Sequence, residues 1–180
     1  MSETSQWAPI PRPRTDEYDP YYGTYVDKVG VDGPILELLE TQEAEVQALL
    51  AAVDDQRGDY RYAEGKWSIK EVIGHLIDTE RIFSYRALCF ARGETQPLPG
   101  MDQDEFVEGG DFDGRSVRDL AGEYQALRRS TLALFAGFSD RQLGCRGIAS
   151  GCAFTTRATA YIIAGHERHH LIVLRERYGL

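Results

Sequence analysis

The sequence lacks any apolar run near the ~18 residues that a membrane-spanning helix requires, and its mean hydropathy is −0.40. It is also short of positive charge. Twenty Lys and Arg stand against 29 Asp and Glu, a net charge of −9 with a pI near 4.9, so the basic footprint of a nucleic-acid-binding surface is missing. Neither nucleic acid nor a membrane is expected as a partner. Cysteine is scarce: Cys89, Cys145 and Cys152 form an odd set whose spacing fits neither a C-x-x-C redox motif nor a paired zinc ribbon, and free thiols are expected. Residues Met1 to Arg14 are polar and proline-rich, without the charged start and apolar stretch of a secretory signal. The expectation is a cytoplasmic protein.

What is present suffices for one domain. A chain of 180 residues, 42% of them hydrophobic, buries roughly 70% of its unfolded surface without disulfide staples. Residues 1–33 contain four prolines, four tyrosines and a tryptophan, more aromatic than a disordered tail usually is. This segment reads as an arm packed on the domain, with 34–180 as the domain itself. Gly33-Pro34 suits a helix start, and Ile35, Leu39, Val46, Leu49, Leu50 and Val53 follow at helical spacing with Gln42 as the polar break. Ser68 with Glu71 spells a capping box, ahead of a stripe from Ile69 to Phe90 that Gly93 stops. A third stripe runs from Val117 to Phe138, capped by Ser116, with Thr131 its polar member; a fourth runs from about Thr155 to Tyr178.

The predicted fold is all-α, a four-helix bundle. Residues 94–115, with Pro97, Pro99, Gly109 and Gly110, are far longer than neighbouring antiparallel helices need. A long crossover between helices two and three is therefore expected, which allows those two to run parallel. Strand signals are scarce, Phe154-Thr155-Thr156 being β-prone but short. The acidic run Asp102-Gln103-Asp104-Glu105 begins like a calcium loop, but Phe106 and Val107 stand where a ligand and the turn glycine belong. It reads as a solvated turn followed by an inward-packing Phe106.

All four histidines fall in two of these helices: His75 in the second, and His166, His169 and His170 in the fourth. At ~100° per residue, His166 and His170 lie in the middle of the apolar arc of helix four, and His169 lies at its rim. Two inward imidazoles are costly to bury unless their nitrogens find partners, and one metal ion satisfies a nitrogen of each. His75 can supply a third ligand, although its wheel position permits this without selecting it. Three histidines leave a position open, as catalytic zinc sites do, and suit zinc or nickel better than magnesium or calcium.

His166-Glu167-Arg168-His169-His170 also spells H-E-x-x-H, the zincin pattern. The extended zincin motif does not follow, so a third ligand would have to come from upstream. Glu167 is a candidate base, and Glu167, Asp78 and His169 are candidates to support the ligands. The plain alternatives are a solvated Glu167 and a surface pair of Asp78 with Arg81. Arg86 and Arg128 lie near apolar stripes, where they could meet an anionic substrate, but the commoner reading is of snorkelling surface residues. Tyr18, Tyr21, Tyr22 and Tyr25 read either as an aromatic lid or as an arm packed on the bundle.

Taken together, Glu64-Gly65-Lys66-Trp67-Ser68-Ile69-Lys70-Glu71-Val72-Ile73-Gly74-His75, Asp78-Thr79-Glu80-Arg81, Gly165-His166-Glu167-Arg168-His169-His170 and Arg175-Glu176-Arg177-Tyr178 resemble the uncharacterised branch of the DinB-like (DinB/YfiT) superfamily over nearly the whole chain. The resemblance implies a four-helix bundle, a mononuclear divalent metal held by His75, His166 and His170, and often a homodimer. Relatives in that superfamily include S-transferases using small thiols, metal-dependent hydrolases and a maleylpyruvate isomerase. The function so implied is a metal-dependent enzyme of thiol S-transferase or hydrolase type, acting on a small-molecule thiol and an electrophile. The alternatives are a non-catalytic metal-binding or stress-related bundle and a metal-free interaction module.

Overall fold

The structure is a computed structural model that describes residues 7–30 and 34–180; the two ends of the expected arm, 1–6 and 31–33, lie outside the described residues. Four long helices carry the fold: α2 (Ile35–Leu50), α4 (Ile69–Ala91), α6 (Val117–Ala136) and α8 (Thr156–Tyr178). Shorter elements link them: α1 (Pro20–Val26) in the arm, α3 (Asp55–Gly58), α5 (Gln103–Gly110), α7 (Asp140–Leu143) and the strands β1 (Arg146–Ala149) and β2 (Cys152–Thr155). The caps account for the boundaries. Ser68 and Glu71 form the expected capping box, Ser116 accepts from the Asp119 N–H, and Thr155 accepts from the Ala158 N–H, each satisfying an otherwise orphaned helical donor.

The bundle runs up-down-down-up. Arg81 with Glu123 and Ser84 with Thr131 rise together along α4 and α6, so these helices are parallel. Trp67 with Tyr178 and His75 with His166 make α4 and α8 antiparallel. Gln47 with Ala121 and Leu39 with Arg128 do the same for α2 and α6. The crossover that parallel packing demands is not bare loop. Asp102 accepts from the N–H groups of Asp104 and Glu105 and starts α5, and a 3-10 turn at Phe112–Gly114 follows.

Starting a helix at Asp102 changes which residue the crossover buries. Phe106 is 43% exposed while Val107 and Phe112 are buried, correcting the inward Phe106 expected from the sequence. One residue in a helix is a ~100° rotation, and the register aims Val107, not Phe106, at the core. The hairpin of β1 and β2 was also not foreseen. Its two-residue turn, Ser150-Gly151, has φ of 53° and 74°, the left-handed pair that matches the twist of a tight hairpin. Gly147 of β1 lies flat on the Phe90 ring with no room for a Cβ.

The apolar core is split in two. One part gathers Ile35, Leu39, Phe83, Phe90, Phe135, Phe154 and Ile162, together with Ile10, Tyr22 and Val26 of the arm. The other gathers Val46, Ile69, Ile73, Leu120, Tyr124, Leu171 and Leu174. Between them every long helix contributes buried polar side chains: Gln42; His75, Thr79 and Glu80; Arg128 and Thr131; His166 and Glu167. This polar layer positions the site. Among the described residues no helix is long and apolar enough to cross a membrane, and all three cysteines are free.

Candidate metal centre

His75 from α4 and His166 and His170 from α8 meet at the polar layer. One ring nitrogen of each lies within 4.8 Å of the others, and His75 Nε2 is 3.0 Å from His166 Nε2. The i,i+4 spacing stacks His166 over His170 on one helix face, with ring centroids 4.6 Å apart, and the antiparallel α4 brings His75 to 4.9 Å from both. Burial, with the neighbouring imidazoles adding to it, lowers the basicity of all three. His75 falls to about 4, with His169 contributing, and His170 to about 3, with His75 and His169 contributing. His166, the most enclosed, falls well below its ordinary value. The rings are thus neutral near pH 7, the form in which imidazole binds a metal.

Apart from the His75–His166 contact, none of the three makes a hydrogen bond among the described residues. Buried imidazoles serving only packing would be expected to bond backbone or carboxylate, and these do not. Three imidazole nitrogens on one zinc ion at 2.0–2.1 Å stand roughly 3.3 Å apart, so the donor set fits such an ion with small side-chain adjustments.

Two glycines shape the surroundings. At Gly165 a Cβ would overlap the backbone carbonyl of Tyr25, so α1 seats directly on α8 and lays the Tyr25 ring 5.3 Å from His166 and 6.1 Å from His169. At Gly74 a Cβ would overlap the Phe112 ring, which brings the crossover onto α4 beside His75. On the far side the Trp67 ring lies 4.8 Å from His75. Two clefts open onto the histidines. One of about 350 Å³ exposes His75 and His166 beneath Tyr22 and Tyr25; the other, of about 520 Å³, exposes His169 and His170 beside Trp67 and Tyr178.

The remaining candidates lie elsewhere. Glu167 is 2% exposed and not solvated: its carboxylate accepts from the Tyr124 hydroxyl at 2.7 Å and from Arg128. Burial pushes Glu167 up, and Arg128 and Tyr124 only partly offset that. Arg128 is no snorkelling surface residue. Fully buried, it donates to Glu80, to Glu167 and to the Leu39 carbonyl, welding α2, α4, α6 and α8 together. Asp78 faces α6 and pairs with Arg81 at 3.6 Å. His169 is half-buried, its ring 5.0 Å from His170. Neither Asp78 nor Glu167 makes a hydrogen bond to a histidine.

Sequence reasoning missed Trp67, Thr79 and the glycine seats. Thr79 carries a helical signal, since it follows His75 by one turn of α4. The glycine seats carry none, because their partners are distant in the chain.

Residues 38–174 match the model of the DinB superfamily. Among solved structures the chain is similar to YfiT from Bacillus subtilis, described as a probable metal-dependent hydrolase with an unusual four-helix bundle topology. The TM-score is 0.71 at 20% identity, over 81% of this chain and 86% of that one. It is also similar to the mycothiol-dependent maleylpyruvate isomerase, with a TM-score of 0.65 at 13% identity, over 77% of this chain and 58% of that one. No curated protein matches.

Proposed function

The chain belongs to the DinB superfamily, and from that premise we propose that His75, His166 and His170 hold one divalent ion, zinc or nickel, at the centre of a metal-dependent enzyme of thiol S-transferase or hydrolase type. The observation that carries the reading is the convergence of three imidazoles from two helices, His75 and His166 buried and His170 partly so, that among the described residues have no hydrogen-bond partner but one another. When bound, the ion supplies Lewis acidity that draws down the pKa of a water or thiol entering the remaining position. The chain's own residues do the rest. Trp67 and Tyr25 flank the rings and border the two clefts that reach them, and the Arg128 network holds α8 and α4 in register. Glu167, its oxygens already bonded to Tyr124 and Arg128, serves that frame and is not the base.

Similarity to YfiT, a probable metal-dependent hydrolase, and to the mycothiol-dependent isomerase supports metal dependence and a thiol as cosubstrate. The reading extends to residues 1–33 as an arm of the same domain, to a homodimer and to a cytoplasmic setting.

Elemental analysis of untagged protein tests the proposal. About one zinc or nickel per chain is expected, lost in His166→Ala and in His170→Ala. No metal after reconstitution with either ion overturns it. With metal established, turnover of an activated ester without thiol marks a hydrolase, and turnover of an electrophile only with added thiol marks a transferase. Loss of stability on chelation without any turnover returns the chain to a non-catalytic metal-binding role.

A further inference from the structure

The first cleft contains a buried positive charge without a counter-charge. Arg86 is 3% exposed. Buried Arg128 pairs with two carboxylates, but among the described residues Arg86 has none within ion-pairing distance. Its partners are neutral: Nη2 donates to the Pro99 carbonyl at 3.1 Å and to the Ser150 hydroxyl at 2.9 Å, and the Tyr22 hydroxyl lies beside the guanidinium. Its guanidinium lies over the Phe83 ring, 4.9 Å from the centroid. Neutral partners of this kind orient a guanidinium without cancelling its charge, and a desolvated charge left uncancelled is costly. A ligand that supplies the opposite charge removes that cost, and the fork geometry of arginine suits a carboxylate.

A second, independent group points the same way. Among the described residues the Thr79 hydroxyl is buried without a hydrogen-bond partner; Thr79 and Arg86 both line the cleft that exposes His75 and His166, and Thr79 also borders a small void beside His166 and Glu167. On the α4 wheel Thr79 and Arg86 fall within roughly 40° of His75, so the three share one face. Arg86 lies three turns beyond His75, about 16 Å of helical rise, and its side chain leans back toward the N-terminus.

We infer that this cleft binds an elongated small-molecule carboxylate, its acid group paired to Arg86, its body lying along the wall that Tyr22, Phe83 and Thr79 form, and its far end at the histidines. Asp102 and Asp104 also line the cleft. Asp102 is engaged at the start of α5, and the two acids oppose a doubly charged phosphate more than a single carboxylate. As a substrate class this rests on the reading of the histidine site given above; as a binding site it does not.

The experiment is calorimetric titration with ω-phenyl carboxylates of three to six carbons and with their neutral amides, on zinc-loaded and on chelator-stripped protein. At least one acid is expected to bind stripped protein at least tenfold tighter than its amide. Arg86→Gln is expected to erase that difference, while binding of the amide stays the same. No saturable binding across the series, equal binding of acid and amide, or an acid preference that survives Arg86→Gln overturns the proposal. An acid preference confined to loaded protein, and abolished by His166→Ala, assigns the carboxylate to the metal and also overturns it. The acid–amide comparison on the unmodified chain decides the matter even if Arg86→Gln fails to fold. Metal content of the same samples reports on the histidine reading separately.

Discussion

The carbonyl of Tyr25 rests on Gly165, where any side chain would collide with it. This one contact seats the arm on α8 and fixes the Tyr25 ring over His166, so a residue immediately before a proposed ligand decides how the cleft is roofed. Gly74, before His75, receives Phe112 in the same way. Both glycines sit inside helices at some cost in propensity, and the close approaches explain why they are there.

Gly165→Ala is expected to destabilise the protein by about 1–3 kcal/mol, because the obstructing atoms are backbone and cannot swing aside. Gly122→Ala, on the exposed face of α6 with nothing near its Cβ position, is expected to stabilise by up to about 1 kcal/mol. Urea unfolding of the two variants checks the contrast. If both shift the midpoint upward, the arm is not seated as described.

The four long helices and the crossover between the second and third were legible in the sequence because they follow from local spacing; the short helices α1, α3, α5 and α7 were not. The inward pair His166 and His170 was legible for the same reason. The polar layer was visible only in fragments. Gln42 and Thr131 appeared as isolated breaks in apolar stripes, and only the up-down-down-up register aligns them with Thr79, Glu80 and His166 at one level. Arg128 reads as a surface residue until Glu80 and Glu167, 48 and 39 residues away in the chain, are seen around it. The hairpin escaped because its strands are four residues each, too short for alternation to register.

His169 discriminates ligand from neighbour. It touches the cluster through His170 and Tyr25 but lies outside the triad. His169→Ala is expected to retain the full metal content of the parent protein, and His75→Ala to lose it. Dialysis against a chelator is expected to lower the melting temperature of the parent and of His169→Ala alike, since an ion that binds only the folded state stabilises it by mass action. Metal lost in His169→Ala and kept in His75→Ala would reassign the third ligand.

Arg128→Met removes the one cation shared by Glu80 and Glu167 and strands two carboxylates in the core. A loss of about 3–5 kcal/mol is expected, measured by urea unfolding at pH 7. Adding Glu80→Gln and Glu167→Gln to Arg128→Met is expected to recover part of that loss, since the stranded charges are then gone. A triple variant no more stable than the single would place the cost in packing instead of charge.

The arm is fastened to α8 at a second point, and this one responds to pH. Glu17 is 1% exposed; its carboxylate accepts from Arg157, and its backbone carbonyl accepts from the Thr155 N–H at 2.9 Å. Burial pushes the Glu17 carboxyl up, but the Arg157 hydrogen bond and charge, with Arg14 added, outweigh it and hold the group below its ordinary 4.5. The unfolded chain therefore takes up this proton first as the pH falls. The stability Glu17 contributes is complete above about pH 4.5 and drains away as the pH drops through its lower folded value. Against Glu17→Gln, the parent protein is expected to keep a constant advantage in urea between pH 8 and 5.5 and to lose it progressively in more acid solution. The Arg157 guanidinium stays charged throughout, so the carboxyl alone accounts for the change. A gap that widens on acidification contradicts the assignment. Since the same arm carries Tyr22 and Tyr25 over the histidines, amide exchange in 20–26 is expected to rise over the acid range in which the gap closes, opening the first cleft before the bundle itself unfolds.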